Sequence, residues 1–116
     1  MPANNNKPAI EGPEGIIEMV SAFQKSRIML TAFELDVFTV IGSGRATSTE
    51  VAGAVKADLR GTDRLLNALC ALGFLNKEKD RFMNTGLSLR YLVKGSEDYL
   101  SRIGHSLNLY RSWGSL

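Results

Sequence analysis

The stretch that decides the fold is residues 47–84, TSTEVAGAVKADLRGTDRLLNALCALGFLNKEKDRFMN. Thr47 is followed three residues later by Glu50, which predicts a capping box, where the hydroxyl and the carboxylate bind free amides at a helix start. Asp58 predicts the N-cap of a second helix, and Gly73 predicts its end. Thr62, Leu65, Leu66, Leu69 and Leu72 recur at three- and four-residue spacing, which places them on one face of that second helix.

A hairpin is predicted directly after the second helix. Residues 74–76 and 81–83 have the character of two short strands, and the charged residues 77–80 lie between them as a turn. Two helices joined by a tight turn and followed by a hairpin make a winged helix-turn-helix. We therefore predict a mainly α fold, a winged helix-turn-helix with a small β-hairpin wing and additional N- and C-terminal helices.

Residues 14–41 precede this unit and predict a long helix with a bend near residues 26–31. Apolar side chains occupy more than one side of this helix, and one small domain cannot cover them all. We expect the excess to form a dimer interface with a second chain, through Ile16, Met19, Val20 and Phe23. The alternative is that Met19, Phe23 and Met29 simply belong to the core, as such stripes usually do.

The remaining segments complete the domain organisation. Residues 1–12 are polar and predict a disordered tail, which leaves 13–116 as one domain. Thr85 predicts the cap of a short helix, and Ser96 that of a C-terminal helix with Tyr110 and Trp113 one turn apart. Leu116 follows without a helix-stop signal, which suggests a fragment of a longer protein.

Composition excludes several function classes. The net charge of +2 is too small to indicate a polyanionic partner, and one cysteine with one histidine cannot form a tetrahedral metal site. No nucleophile with a matching base is visible, so we expect no catalytic residues. Residues 42–44 read as a helix stop and not as a phosphate loop. Without a signal peptide or a spanning apolar run, we expect a cytoplasmic protein and no membrane partner.

A DNA-binding regulator is the alternative function. Arg60, Arg64 and Asn67 share one face of the second helix, which suits contacts to phosphates and base edges. Asp63 and Asp80 lie on the same surfaces and would repel the DNA backbone, whose neutralisation supplies most of the affinity. The residues therefore favour a binding or assembly module over a DNA reader.

Four segments together carry a family resemblance: 27–38 (RIMLTAFELDVF), 49–52 (TEVA), 63–75 (DRLLNALCALGFL) and 81–85 (RFMNT). Residues 14–116 resemble the N-terminal dimerisation domain of S-adenosylmethionine-dependent O-methyltransferases, the group of plant small-molecule and bacterial polyketide enzymes. The resemblance implies a winged-helix fold that does not read DNA, and an interlocked homodimer built from the first and last helices.

The resemblance also implies how the work is divided in the parent enzyme. Methyl donor and catalytic base belong to a Rossmann-like domain that these 116 residues do not contain. We therefore expect no cofactor site and no methyltransferase activity in this chain alone, and His105 does not inherit the role of the base. The module would close over the small-molecule acceptor, and our candidates for the pocket walls are Phe23, Met29, Tyr110 and Trp113.

Overall fold

The structure is a computed structural model that describes residues 12–104. It is mainly helical and carries one three-stranded antiparallel sheet in the order β1-β3-β2, so the predicted winged-helix fold class is confirmed. In chain order the elements are α1 (Gly12–Glu34), α2 (Val37–Ile41), β1 (Ala46–Thr47), α3 (Ser48–Val55), α4 (Leu59–Ala71), β2 (Leu75–Glu78), β3 (Arg81–Asn84) and α5 (Gly86–Tyr91).

The break between the first two helices lies later than the sequence predicted. The bend predicted near residues 26–31 is wrong, because α1 continues to Glu34 and the chain turns at Asp36, which has a φ of 61°. Residues 26–31 contain no glycine or proline, and Ala32 just after them is fully buried, so packing supports a continuous helix there. A left-handed residue cannot continue a right-handed helix, so Asp36 ends the segment.

The two predicted helix caps of the central unit are confirmed. The Thr47 hydroxyl accepts a hydrogen bond from the Glu50 amide at 3.1 Å, and the Thr47 amide donates to the Glu50 carboxylate at 2.8 Å. These bonds favour the ionised carboxylate and lower the pKa of Glu50. The Asp58 carboxylate accepts from the Gly61 amide at 2.7 Å, which fixes the start of α4.

The sheet differs in two details from the prediction. β2 extends to Glu78, so the hairpin loop is only residues 79–80 and not 77–80. β1 was missed: Ala46 pairs with Phe82 and Thr47 with Arg81, which adds a third strand. A strand of two residues is too short to produce an alternating pattern, so the sequence carries no signal for it.

The core lies between α2, α4 and the sheet. Its largest buried side chains are Phe38, Phe82, Leu66, Leu69 and Leu75. Asn84, at the end of β3, is buried and donates from Nδ2 to the carbonyls of Phe38 at 2.9 Å and Gly42 at 2.8 Å. This side chain therefore fastens the end of α2 to the sheet.

The segment after α5 corrects a further prediction. Ser96 does not begin a helix: residues 96–102 are turns and irregular chain, and helical geometry resumes only at residues 103 and 104. The Ser96 hydroxyl donates to the Arg90 carbonyl at 2.6 Å, and the Asp98 carboxylate accepts from Arg90 Nε at 2.8 Å. Most of the predicted C-terminal helix, with Tyr110 and Trp113, lies outside the described residues, as do residues 1–11 of the predicted tail.

Asn84→Ala should lower the free energy of unfolding by about 1–3 kcal/mol, because the buried Phe38 carbonyl and the part-buried Gly42 carbonyl both lose their side-chain donor. Urea unfolding at fixed protein concentration, followed by circular dichroism, measures the change. Asn76→Ala, an exposed amide on the neighbouring β2, is the matched control and should change stability by less than about 0.5 kcal/mol. Equal midpoints for the two variants would contradict this role of Asn84.

Glu50→Gln should cost stability near neutral pH, and this cost should shrink in acid. A depressed pKa contributes stability above the ordinary glutamate value of about 4.3, and the contribution is lost as the pH falls through the folded-state pKa. Urea unfolding of wild type and variant between pH 6 and pH 3, in roughly half-unit steps, tests this. Glu18→Gln, an exposed carboxylate on α1, is the control for lost charge. A pH-independent gap between wild type and Glu50→Gln would contradict the assignment.

Candidate functional site

The first candidate surface is the α1 stripe, which we define as Ile16, Met19, Val20 and Phe23. Each of these side chains is 55% exposed, and Ala32 is the one buried residue of α1, a helix that lies wholly within the described part of the chain. The alternative that Met19 and Phe23 belong to the core of one subunit is therefore wrong. Spacings of three and four residues place the stripe on one side of the helix.

The second candidate surface is the apolar groove, a cavity of about 580 Å³ beside the C-terminal half of α1. Met29 lines it and also packs against the hydrophobic core. Lys25 is the one charged residue among the described residues that line it. The full lining is Lys25, Ser26, Met29, Leu30, Leu72, Phe74 and Ile103.

Ile103 reaches the groove because the turns after α5 are held against α1. Tyr99 stacks on Phe33 of α1, with ring centroids 6.0 Å apart and planes 10° from parallel. The Leu100 amide donates to the Tyr91 carbonyl at 2.9 Å, which fixes the path of the turns toward the groove. The far wall of the groove thus depends on contacts between segments that are distant in sequence.

The predicted pocket residues meet the groove only in part. Met29 lines it, whereas Phe23 lies on the α1 stripe and is not part of the lining. Tyr110 and Trp113 lie outside the described residues. Sequence reasoning missed Leu72 and Phe74 as groove residues, because the first continues the apolar face of α4 and the second precedes a strand, which are both ordinary core signals.

One of the three α4 residues proposed for DNA contact, Asn67, is engaged in hydrogen bonds within the chain. The Asn67 amide donates to the Asp63 carbonyl at 2.8 Å and accepts from Lys77 Nζ at 3.0 Å. Arg60 and Arg64 are exposed, but Arg64 borders a crevice whose other wall is α1. A recognition helix needs a free face to enter the major groove, and here α1 lies along one side of it.

Other chemistry is sparse in the part of the chain that the structure describes. Between residues 12 and 104, no three histidine, cysteine, aspartate or glutamate side chains are grouped so that they could hold a metal ion. None of the helices in this range is long and apolar enough to cross a membrane. Burial raises the pKa of the Cys70 thiol, which disfavours the reactive thiolate.

Comparison with known families gives one match over most of the chain. Residues 17–94 match the model of the O-methyltransferase dimerisation domain. Among curated proteins, the N,N-dimethyltransferase OxyT of Streptomyces rimosus is 27% identical over 103 residues, covering 87% of this chain and 30% of OxyT. The chain thus spans about a third or less of the length of the curated relatives that it matches.

Solved structures show the same relation. An O-methyltransferase family protein from Burkholderia thailandensis superposes with a TM-score of 0.82 at 30% identity, covering 93% of this chain and 32% of that one. Human N-acetylserotonin methyltransferase, solved in complex with SAM, gives a TM-score of 0.73 at 25% identity, covering 97% and 34%. None of these matches supports the DNA-binding alternative.

In a gel-shift assay at low salt and micromolar protein, we expect no retardation of duplex DNA by the wild-type chain or by Arg64→Ala. The reason is that Asn67 is used internally and that carboxylates offset the basic charge of this surface. A DNA-binding winged-helix protein serves as the positive control. A retarded band that weakens with salt and with Arg60→Ala or Arg64→Ala would contradict this expectation.

Proposed function

Because this chain belongs to the O-methyltransferase dimerisation domain family, we propose that it is the dimerisation and substrate-capping module of a S-adenosylmethionine-dependent small-molecule O-methyltransferase. The catalytic domain would come from further polypeptide, either in the same protein or encoded separately. The observation that carries the proposal is the exposed α1 stripe. It is an apolar surface on a regular helix, and a second copy of the chain would cover it.

The energetics of the α1 stripe favour pairing. Burying one large apolar side chain contributes about 1.5–3 kcal/mol, and all four residues of the stripe are more than half exposed in one subunit. Monomeric proteins rarely expose contiguous apolar patches larger than a few hundred Å². A homodimer that buries the stripe removes this surface from water in both subunits at once.

The apolar groove supports the capping role. Half-buried Met29, Leu30, Leu72 and Phe74 form most of its lining, which suits the apolar body of an aromatic or polyketide-like acceptor. Such walls would orient the acceptor and exclude water while a methyl group passes to the acceptor oxygen. These residues hold no proton and form no bond in that step.

The groove does not suit the methyl donor itself. S-adenosylmethionine supplies a methyl group from a sulfonium, which is a cation, and the charged residue in the described lining is the cation Lys25. Between residues 12 and 104, the lining also contains no carboxylate that could accept hydrogen bonds from a ribose. We therefore assign donor binding to the catalytic domain of the parent enzyme and none of it to this chain.

Val20→Asp should convert the wild-type dimer to a monomer, with the dissociation constant raised at least about tenfold, because each interface would bury two unpaired carboxylates. Size-exclusion chromatography with light scattering at micromolar concentration measures the mass. Ala54→Glu, which adds the same charge at an exposed position on α3, is the matched control and should stay dimeric. A wild-type chain that is monomeric at this concentration would overturn the proposal.

A further inference from the structure

The apolar groove has one polar end. Lys25 and Ser26 line it together with five apolar side chains, and both polar residues are exposed. They lie one helical turn before Met29 and Leu30, the two apolar residues that the same helix contributes to the groove. The lining supplied by α1 therefore changes from an ammonium and a hydroxyl to apolar side chains within about 6 Å of helix.

Lys25 has no carboxylate within reach along α1. The positions three and four residues away from it are occupied by Ser21, Ala22, Ile28 and Met29. Glu18, on the same side of the helix, is two turns or about 10 Å away, which is beyond hydrogen-bonding distance. Among residues 12–104, the Lys25 ammonium takes part in no ion pair. The ammonium group is therefore able to bind a ligand that enters the groove.

We propose that the apolar groove selects an anionic acceptor, an aromatic acid whose carboxylate binds to Lys25 and Ser26 while its rings contact the apolar walls. This inference rests on the substrate-capping role of the proposed function and names the class of acceptor. The ammonium and the hydroxyl both donate hydrogen bonds that a carboxylate accepts, and such bonds are stronger when both groups are ionised. The hydroxyl that receives the methyl group is then a second group of the same molecule.

The size and the charge of the groove suit such a ligand. Its volume of about 580 Å³ lies within the range of about 300–1,000 Å³ that is usual for small-molecule sites. No aspartate or glutamate is among the described residues that line it, so no carboxylate in this lining offsets the charge of Lys25. An acid therefore gains an ion pair on binding, whereas a cation of the same shape is repelled.

The expected preference for an acid is modest, because Lys25 is exposed. An ion pair at the surface changes a binding constant by about two- to fivefold, and salt screens it. The apolar walls contribute an affinity that is the same for an acid and for its neutral amide. Lys25 thus determines which acceptor is preferred, and the walls determine whether an aromatic acceptor binds at all.

Titration of the full chain with naphthylacetate and, separately, with naphthylacetamide tests this preference. The two probes share one ring system and differ in charge. Amide chemical shifts of isotope-labelled protein report both the dissociation constant and the place of binding. At low salt and near neutral pH, naphthylacetate should bind about two- to fivefold more tightly than naphthylacetamide. The largest shifts should occur at the groove residues Met29, Leu72 and Phe74.

Three variants assign the preference to its residue. Lys25→Gln should bind the two probes equally, because it loses the charge and keeps a residue that favours a helix. Lys25→Arg keeps the charge and should retain most of the preference. Arg60→Gln is the matched control: it removes an exposed cation about 18 Å along α4 from Leu72, so the preference should persist. Raising the salt from about 20 mM to about 500 mM should reduce the preference of the wild-type chain.

The outcomes separate this inference from the function that it rests on. Equal affinity of the wild-type chain for both probes, with shifts in the groove, overturns the selection by charge and leaves the capping role standing. A preference that Lys25→Gln retains also overturns it, because a different group must then be responsible. If neither probe shifts the groove residues, the inference and the capping role are both overturned, and dimerisation is judged by light scattering alone. A preference that is lost in Lys25→Gln and kept in Lys25→Arg supports the inference.

Discussion

The dominant constraint on this molecule is that the rest of the chain buries one half of α1 and leaves the other half exposed. Its C-terminal half has α2 and α4 beside it, and there Ala32 is fully buried. Its N-terminal half carries large apolar side chains that are more than half exposed. A helix of this kind is stable chiefly through packing of its apolar face. The proposed homodimer would give the α1 stripe the cover that the rest of α1 obtains from its own subunit.

Hydrogen bonds between elements that are distant in sequence hold the winged helix together as a scaffold. Asn84 joins the sheet to the end of α2 through two carbonyls. At the base of the hairpin, the Ser88 hydroxyl donates to the Phe74 carbonyl at 2.6 Å and connects α5 to the same unit. These contacts hold α2, α4, α5 and the sheet as one body. A rigid body of this kind can present α1 and the groove in fixed positions, which a dimerisation module needs.

Polar side chains of α4 also take part in contacts within the winged helix. In a DNA reader the second helix of the helix-turn-helix keeps a free polar face. In this chain Asn67 bonds to the backbone of its own helix and to Lys77 of the wing, and Lys77 in turn lies 5.1 Å from the centre of the Phe82 ring. Asn67 and Lys77 thus connect α4 to the hairpin, whereas Arg60 and Arg64 on the same helix remain exposed.

Sequence reasoning succeeded where the determining contacts are local. The capping box at Thr47 and the cap at Asp58 involve residues three apart, and both were predictable. It failed where contacts between residues distant in sequence determine the structure. The turn at Asp36 has no glycine or proline to signal it, and Ser96 donates to the Arg90 carbonyl instead of capping a helix. The groove joins three separate segments, so its lining could not be read from any one of them.

Dimerisation and substrate capping, as proposed, would use the two halves of a single helix. The α1 stripe lies in the N-terminal half of α1, and Met29 and Leu30 of its C-terminal half line the apolar groove. Because α1 runs without a break from Gly12 to Glu34, a second copy that covered the stripe would also have a fixed position relative to the groove. Pairing would therefore help to hold the walls around the acceptor in place, and the two parts of the proposed function would not be independent.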